Sequence, residues 1–101
     1  MGQLAPRVFV ESAAVRQLEA LIYRLPGNAQ VAVKCDDGKT YSGIVCVRPT
    51  VQTFRDNNGA EGLNGVLRLE DATAPGGERR IWLDRIVQVH RKDAISGTFG
   101  G

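Results

Sequence analysis

The chain has 101 residues, of which 43% are hydrophobic and 24% charged, and its formal net charge is +2. These values are those of a globular domain; they exclude a wholly disordered chain and a strongly basic nucleic-acid domain. No apolar run approaches the about 20 residues that span a bilayer, and segment 1–7 lacks the apolar core of a secretion signal. We therefore expect one cytoplasmic domain with no membrane partner.

An N-terminal arm over residues 1–11 precedes a helix predicted for residues 12–25. Ser12 is the expected N-cap, and Pro26-Gly27 ends the helix. One helical stripe is apolar and consists of Val15, Leu18, Leu21, Ile22 and Leu25. We expect this stripe to close an open end or face of the β structure, the alternative being that it packs on a partner subunit.

The segment from Ala29 to Val47 has the pattern of a β-hairpin. Val31, Val33 and Cys35 alternate with polar residues, as in a half-buried strand, and Asp36-Asp37-Gly38 follows directly as a turn signal. A second strand must therefore return antiparallel to the first.

The register of this hairpin follows from its apolar residues. A three-residue loop with Gly38 in the left-handed conformation places Val33 opposite Tyr41 and Val31 opposite Gly43. A two-residue loop would instead place Val33 opposite a serine. A glycine in mid-strand allows a sharp bend or a close backbone approach, so Gly43 favours a strongly bent sheet.

Three segments resemble the Sm-like superfamily, which comprises the Sm, LSm and Hfq proteins. The hairpin is similar to the first Sm motif, residues 63–72 to the third strand, and residues 81–89 to the junction of the last two strands. The resemblance is to a divergent bacterial variant from a small uncharacterised family. It implies a mostly β fold with one N-terminal α-helix, namely a small, strongly bent, five-stranded antiparallel barrel over residues 29–92 of a single domain, 12–92.

The region after the hairpin departs from the family pattern. Arg48-Pro49-Thr50 stands where Sm proteins carry Asp-Pro-aromatic, so Thr50 removes the platform on which a base stacks. In one alignment Gln52 takes the place of the family's base-binding Asn. In the other, which we favour, Asn64 takes that place. Residues from about 50 to 62 then form an inserted ribbon that extends the preceding strand and turns at Asn57-Asn58-Gly59.

The second Sm motif departs as well. The family has Arg-Gly or Tyr-Lys-His where this chain has Leu83-Asp84-Arg85-Ile86, which leaves Arg85 as the basic candidate. Asp84 either lies in a solvated turn or pairs with an arginine, Arg85 or one from a neighbouring subunit. Trp82 is expected either in a second small core or at a subunit interface.

Two functions are compatible with these features. The first is a non-catalytic module that binds single-stranded RNA through Arg48, Gln52, Asn64 and Arg85. The second is a protein-interaction or self-assembly module that has lost the nucleotide pocket. Candidate interface residues are Phe54, Trp82, Val87 and Val89. Both functions permit a homo-oligomer, either a dimer or a small ring.

Enzymatic and metal sites find no support in the sequence. The chain has one histidine, no Gly-x-Ser-x-Gly motif and no phosphate-binding Gly-rich loop. Cys35 and Cys46 point to opposite faces in the predicted register, so we expect two free thiols, as suits a reducing compartment. We predict no catalytic activity, no cofactor and no metal. The Gly-rich end, residues 93–101, is predicted to be a flexible tail.

Overall fold

The structure, a computed structural model, describes residues 3–71 and 76–92. This part of the chain contains the helix α1 (Ser12–Tyr23) and a short 3-10 turn at Leu83–Arg85. The strands in chain order are β1 (Gln3–Leu4), β2 (Gln30–Cys35), β3 (Thr40–Val45), β4 (Gln52–Arg55), β5 (Glu61–Asn64), β6 (Val66–Glu70), β7 (Glu78–Trp82) and β8 (Ile86–Arg91). The predicted tail, 93–101, lies outside the described residues. None of the helical structure in the described ranges is both long enough and apolar enough to cross a membrane.

The strands form two sheets. β1, β4 and β5 make a small sheet, with β1 parallel to β4, and the other five strands make an antiparallel sheet in the order β7-β6-β3-β2-β8. The predicted mostly β fold with one N-terminal helix is confirmed. The predicted five-stranded barrel is wrong, because the edge strands β7 and β8 do not pair with each other and because β4 and β5 add to the strand count. Seven strands have four residues or more.

The open sheet is nevertheless strongly curved. β7 ends at Trp82 and β8 begins at Ile86, so three residues connect the two edges. Four Cα–Cα steps reach at most about 15 Å, which brings the edges close together at this end. The turn Leu83–Arg85 occupies the gap, and the amide of Leu83 donates to the carbonyl of Gly65.

The hairpin of β2 and β3 has the predicted register. Val31 pairs with Gly43 and Val33 with Tyr41, and Gly38 has a φ of 87° in the turn. Gly43 provides the predicted close approach, since a Cβ atom there would overlap the carbonyl oxygen of Glu70 on β6. The alternation of β2 therefore directs one face into the core. The residues of this core that are fully shielded from solvent are Leu25, Val31, Val33, Val45 and Leu67.

Helix α1 differs from its prediction at both ends. Glu11 rather than Ser12 is the N-cap, and its side chain makes no capping hydrogen bond. The helix ends at Tyr23, because a residue that precedes proline disfavours helical dihedral angles, and Leu25 precedes Pro26. Leu18 is the buried residue of the helix, while Leu25 enters the core from the connection that follows.

The inserted ribbon is present as the hairpin of β4 and β5. Gln52 pairs with Asn64, and the carboxylate of Asp56 accepts hydrogen bonds from the turn amides of Asn58 and Ala60, each 2.9 Å long. The ribbon does not extend the preceding strand as predicted: β3 ends at Val45 and β4 begins only at Gln52. Pro49 in this connection lacks the amide that a continuous ladder needs.

The N-terminal arm packs against the ribbon. Gln3 and Leu4 pair with Phe54 and Arg55 of β4, and Phe9 forms an isolated bridge with Leu63 of β5. The ribbon is thus held between the arm and the main sheet.

Candidate nucleic-acid interface

A cleft of about 240 Å³ lies between the ribbon and the outer face of the main sheet. Three arginines line it: Arg48 from the connection before β4, Arg68 from β6 and Arg80 from β7. We call it the arginine cleft. Its other lining residues are uncharged and comprise Val47, Pro49, Thr50, Gln52, Phe54 and Val66.

Arg68 and Arg80 lie directly opposite each other on β6 and β7. Leu67 and Leu69 are buried, so alternation along β6 directs Arg68 outward. Like charges that face each other across a strand pair are destabilising. The sheet therefore carries an unfavourable charge pair at the wall of the cleft, which a bound anion would relieve.

Glu78 neutralises part of this charge. Its Oε2 atom lies 2.7 Å from Nη2 of Arg68, and its Oε1 atom lies 3.9 Å from Nε of Arg80. The hydrogen bond to Glu78 raises the pKa of Arg68, which is permanently charged. Because the single carboxylate of Glu78 balances only one of the two positive charges, Arg68 and Arg80 together retain excess positive charge.

Arg48 adds a third cation to the cleft. Its guanidinium carbon lies 5.9 Å from the ring centre of Tyr23, at the end of α1. Such a contact holds the cation by its face and leaves its N–H donors available. Within residues 3–71 and 76–92, no carboxylate lies within ion-pair distance of Arg48. Gln52 is nearby, and its amide nitrogen donates to the hydroxyl of Thr50 at 3.0 Å.

The structure separates the four predicted RNA-binding residues. Arg48 and Gln52 line the arginine cleft, whereas Arg85 lies in the 3-10 turn and pairs with Asp36 at 3.3 Å and Asp37 at 3.2 Å. The hydrogen bond to Asp36 raises the pKa of Arg85. Arg85 is therefore partly neutralised by the turn of the β2–β3 hairpin.

Asn64, the fourth predicted residue, is 0% exposed. Its amide nitrogen donates to the carbonyl of Arg7 and to Oδ1 of Asp84, both at 2.9 Å, and its oxygen accepts from the amide of Gly65. Asp84 is also bound by Arg7, with Nη2 and Oδ2 3.0 Å apart, and its side chain is only 6% exposed. These residues form a buried polar network that ties the arm, the ribbon and the turn together. Asn64 has no polar atom left for a ligand, and Asp84 is neither solvated nor paired with Arg85.

The predicted interface residues are also divided. Phe54, 2% exposed, packs edge to face on Trp82 with ring centres 5.1 Å apart, which is the second small core expected as one alternative for Trp82. Val89 belongs to the main core. Phe54 and Val89 thus present almost no surface to a second subunit. Val87 is 61% exposed and remains available.

Sequence reasoning did not assign Arg68 and Arg80 to a shared site. Alternation with the apolar Leu67 and Leu69 is the sequence signal that could have placed Arg68 on the outer face, whereas its pairing with Arg80 depends on the β6–β7 register. The chemistry of the cleft is that of anion binding, since guanidinium groups donate forked hydrogen bonds to phosphate. Among the described side chains, no three of His, Cys, Asp or Glu converge as a metal site.

The curved sheet with its N-terminal helix defines the protein as a variant of the Sm-like fold. It is similar to the crystal structure of XC5848 from Xanthomonas campestris, which is described as adopting a novel variant of the Sm-like motif. The two chains are 43% identical, and the match has a TM-score of 0.83 and covers 89% of this chain and 97% of that one.

The chain belongs to the family described as Domain of unknown function (DUF3247), whose model matches residues 2–92. No curated protein matches the sequence significantly. The Sm-like resemblance noted from the hairpin is thus confirmed at the level of the fold.

Proposed function

We propose that this protein is a non-catalytic module that binds single-stranded RNA in the arginine cleft. The observation that carries the proposal is the direct opposition of Arg68 and Arg80 beside Arg48. Three guanidinium groups around an otherwise uncharged lining are matched by a phosphodiester backbone. The Sm-like fold supports RNA as the polyanion, because the superfamily that the sequence resembles binds single-stranded RNA.

The arginine cleft recognises the phosphodiester backbone of the RNA and not its bases. Thr50 stands where an aromatic platform would stack on a base, and Phe54 is buried against Trp82. The amide of Gln52 is the uncharged hydrogen-bonding group besides Thr50 in the lining. We therefore expect binding that depends on salt but little on sequence.

The test is fluorescence anisotropy with labelled ten-nucleotide U-rich and A-rich RNAs at two salt concentrations. We expect both RNAs to bind within about threefold of each other. Arg48→Ala and Arg80→Ala should each weaken binding about fivefold, because a charge-assisted contact at an exposed site contributes about 1 kcal/mol. Each should also reduce the slope of log Kd against log salt by about 0.7.

The matched control is Arg55→Ala. Arg55 is an exposed arginine of the ribbon, pairs with Glu61 at 3.6 Å and does not line the cleft. Its loss lowers the net charge equally and should leave affinity within about twofold. Absence of salt-dependent binding by the wild type, or equal losses in all three variants, would contradict the proposal.

We propose in addition that the protein forms a small homo-oligomer, either a dimer or a small ring. Among the described strands only β2 pairs with β8, so the other edge of β8 is available to a second copy, and Val87 on this strand is exposed. In a two-fold dimer, β8 of one copy would pair with β8 of the other. This pairing would cover the β8 edge of each copy and leave the β7 edge of each copy open. Sedimentation should show a dimer that Val87→Lys converts to monomer. A wild-type protein that stays monomeric at high concentration would rule out the homo-oligomer.

A dimer that does not bind RNA would favour the alternative function, a self-assembly module.

We also propose that the protein is cytoplasmic and represents a divergent bacterial branch of the Sm-like superfamily. Two free cysteines, Cys35 and Cys46, support a reducing compartment. The similarity to a Xanthomonas protein supports the bacterial branch.

A further inference from the structure

A second, smaller cavity of about 110 Å³ lies along the edge of β7. Arg79, Arg80 and Arg85 line it together with Tyr41 and Trp82. We call it the edge cleft, because β7 is an edge strand of the main sheet. Arg80 lines both the edge cleft and the arginine cleft, so the two cavities adjoin at this side chain.

The edge cleft carries excess positive charge. Asp37 in its lining and Asp36 beside it both pair with Arg85 and offset its charge, so Arg79 and Arg80 supply the excess. The guanidinium carbon of Arg79 lies 4.5 Å from the ring centre of Tyr41, and no carboxylate in the described ranges lies within ion-pair distance of it. Burial raises the pKa of the Cys35 thiol in the lining, so at neutral pH the thiol adds no negative charge.

The size and the aromatic contacts of the edge cleft favour a phosphate group over a base. The edge cleft is less than half as large as the arginine cleft, so it has less room for a base. Arg79 covers the ring of Tyr41, and Trp82 packs against Phe54. Each ring therefore already has an aromatic or cationic partner, which disfavours base stacking.

We propose that the edge cleft is a second phosphate subsite, so that one RNA strand occupies the arginine cleft, crosses the edge of β7 at Arg80 and places a further phosphodiester against Arg79. This subsite rests on the proposed RNA-binding function. Among the described strands only β6 pairs with β7, and a dimer formed through β8 leaves the outer edge of β7 open at the crossing point.

Trp82 is the only tryptophan of the chain and provides a built-in reporter, because it lines the edge cleft and not the arginine cleft. Its emission is followed while a ten-nucleotide U-rich RNA is titrated into the full-length protein, with anisotropy recorded in parallel. We expect the emission to change with the same Kd as the anisotropy. Arg79→Ala should weaken binding about fivefold, reduce the salt slope by about 0.7 and abolish the emission change. Arg79→Lys, which keeps the positive charge, should recover part of the affinity, of the salt slope and of the emission change.

The controls separate the two proposals. Arg48→Ala should weaken binding but retain the emission change at saturation, and Arg55→Ala should alter neither. One outcome would refute the edge cleft as a subsite and leave the arginine cleft as the binding site. In that outcome RNA binds and Arg48→Ala weakens the binding, but Arg79→Ala has no more effect than Arg55→Ala and the Trp82 emission stays constant. If RNA does not bind at low salt, both proposals fall. Inorganic phosphate that changes the emission at an equal phosphate concentration would assign the cleft to a free anion and overturn the strand path.

Discussion

Gly43→Ala is expected to lower the free energy of unfolding by about 3 kcal/mol, because the added methyl group has no room between β3 and β6. Its Cβ atom would overlap the backbone carbonyl oxygen of Glu70, and it would also lie 3.1 Å from the carbonyl carbon. A backbone group cannot rotate away as a side chain can. The two strands must separate where they pair, at Ile44 and Glu70. Urea denaturation followed by circular dichroism measures the loss.

Gly27→Ala is the matched control. A Cβ atom at Gly27 would lie 3.6 Å from the amide nitrogen of Arg48, an ordinary contact, and the residue has no positive φ. We expect a change within about 0.5 kcal/mol. Equal effects of the two substitutions would show that the close approach at Gly43 does not constrain the sheet.

Asn64→Ala is expected to lower the free energy of unfolding by a similar amount, about 3 kcal/mol, for a different reason. The substitution leaves the buried amide of Gly65 without its acceptor and removes the hydrogen bond to Asp84. Each buried polar group that loses its partner costs about 1 to 3 kcal/mol. The same denaturation experiment measures the loss. Protein that is still folded at low temperature should bind RNA within about twofold of the wild type.

Asn57→Ala makes the same chemical change at an exposed position of the ribbon turn. We expect it to shift stability by no more than about 0.5 kcal/mol. If Asn64→Ala left stability intact but reduced RNA affinity, Asn64 would be a ligand-binding residue, as its alignment with the family suggests, and the structural role would be refuted.

Features set by neighbouring residues could be predicted from the sequence. The register of the β2–β3 hairpin followed from alternation in β2 and from one left-handed glycine, Gly38. The inserted ribbon came from the alignment with the Sm family, and Asn57-Asn58-Gly59, where Gly59 has a φ of 83°, located its turn. Turn chemistry and period-2 burial act over a few residues, so each can be interpreted without knowledge of the rest of the chain.

The candidate site was predicted only in part. Arg48 and Gln52, which are close in sequence, line the arginine cleft together. Asn64 was assigned to the ligand because a family position matched, and no local signal distinguished a solvent-facing amide from a buried one. Its burial depends on Arg7 and Asp84, which are distant in sequence and adjacent only in the fold.

The sequence by itself determined the local elements of this protein: the helix, the register of the first hairpin and the turns. The tertiary structure decided that the sheet stays open, that the arm packs on the ribbon and that Arg68 faces Arg80. These features depend on contacts between segments far apart in the chain. Their free energies depend on which surfaces meet, and neither alternation nor turn chemistry encodes that choice.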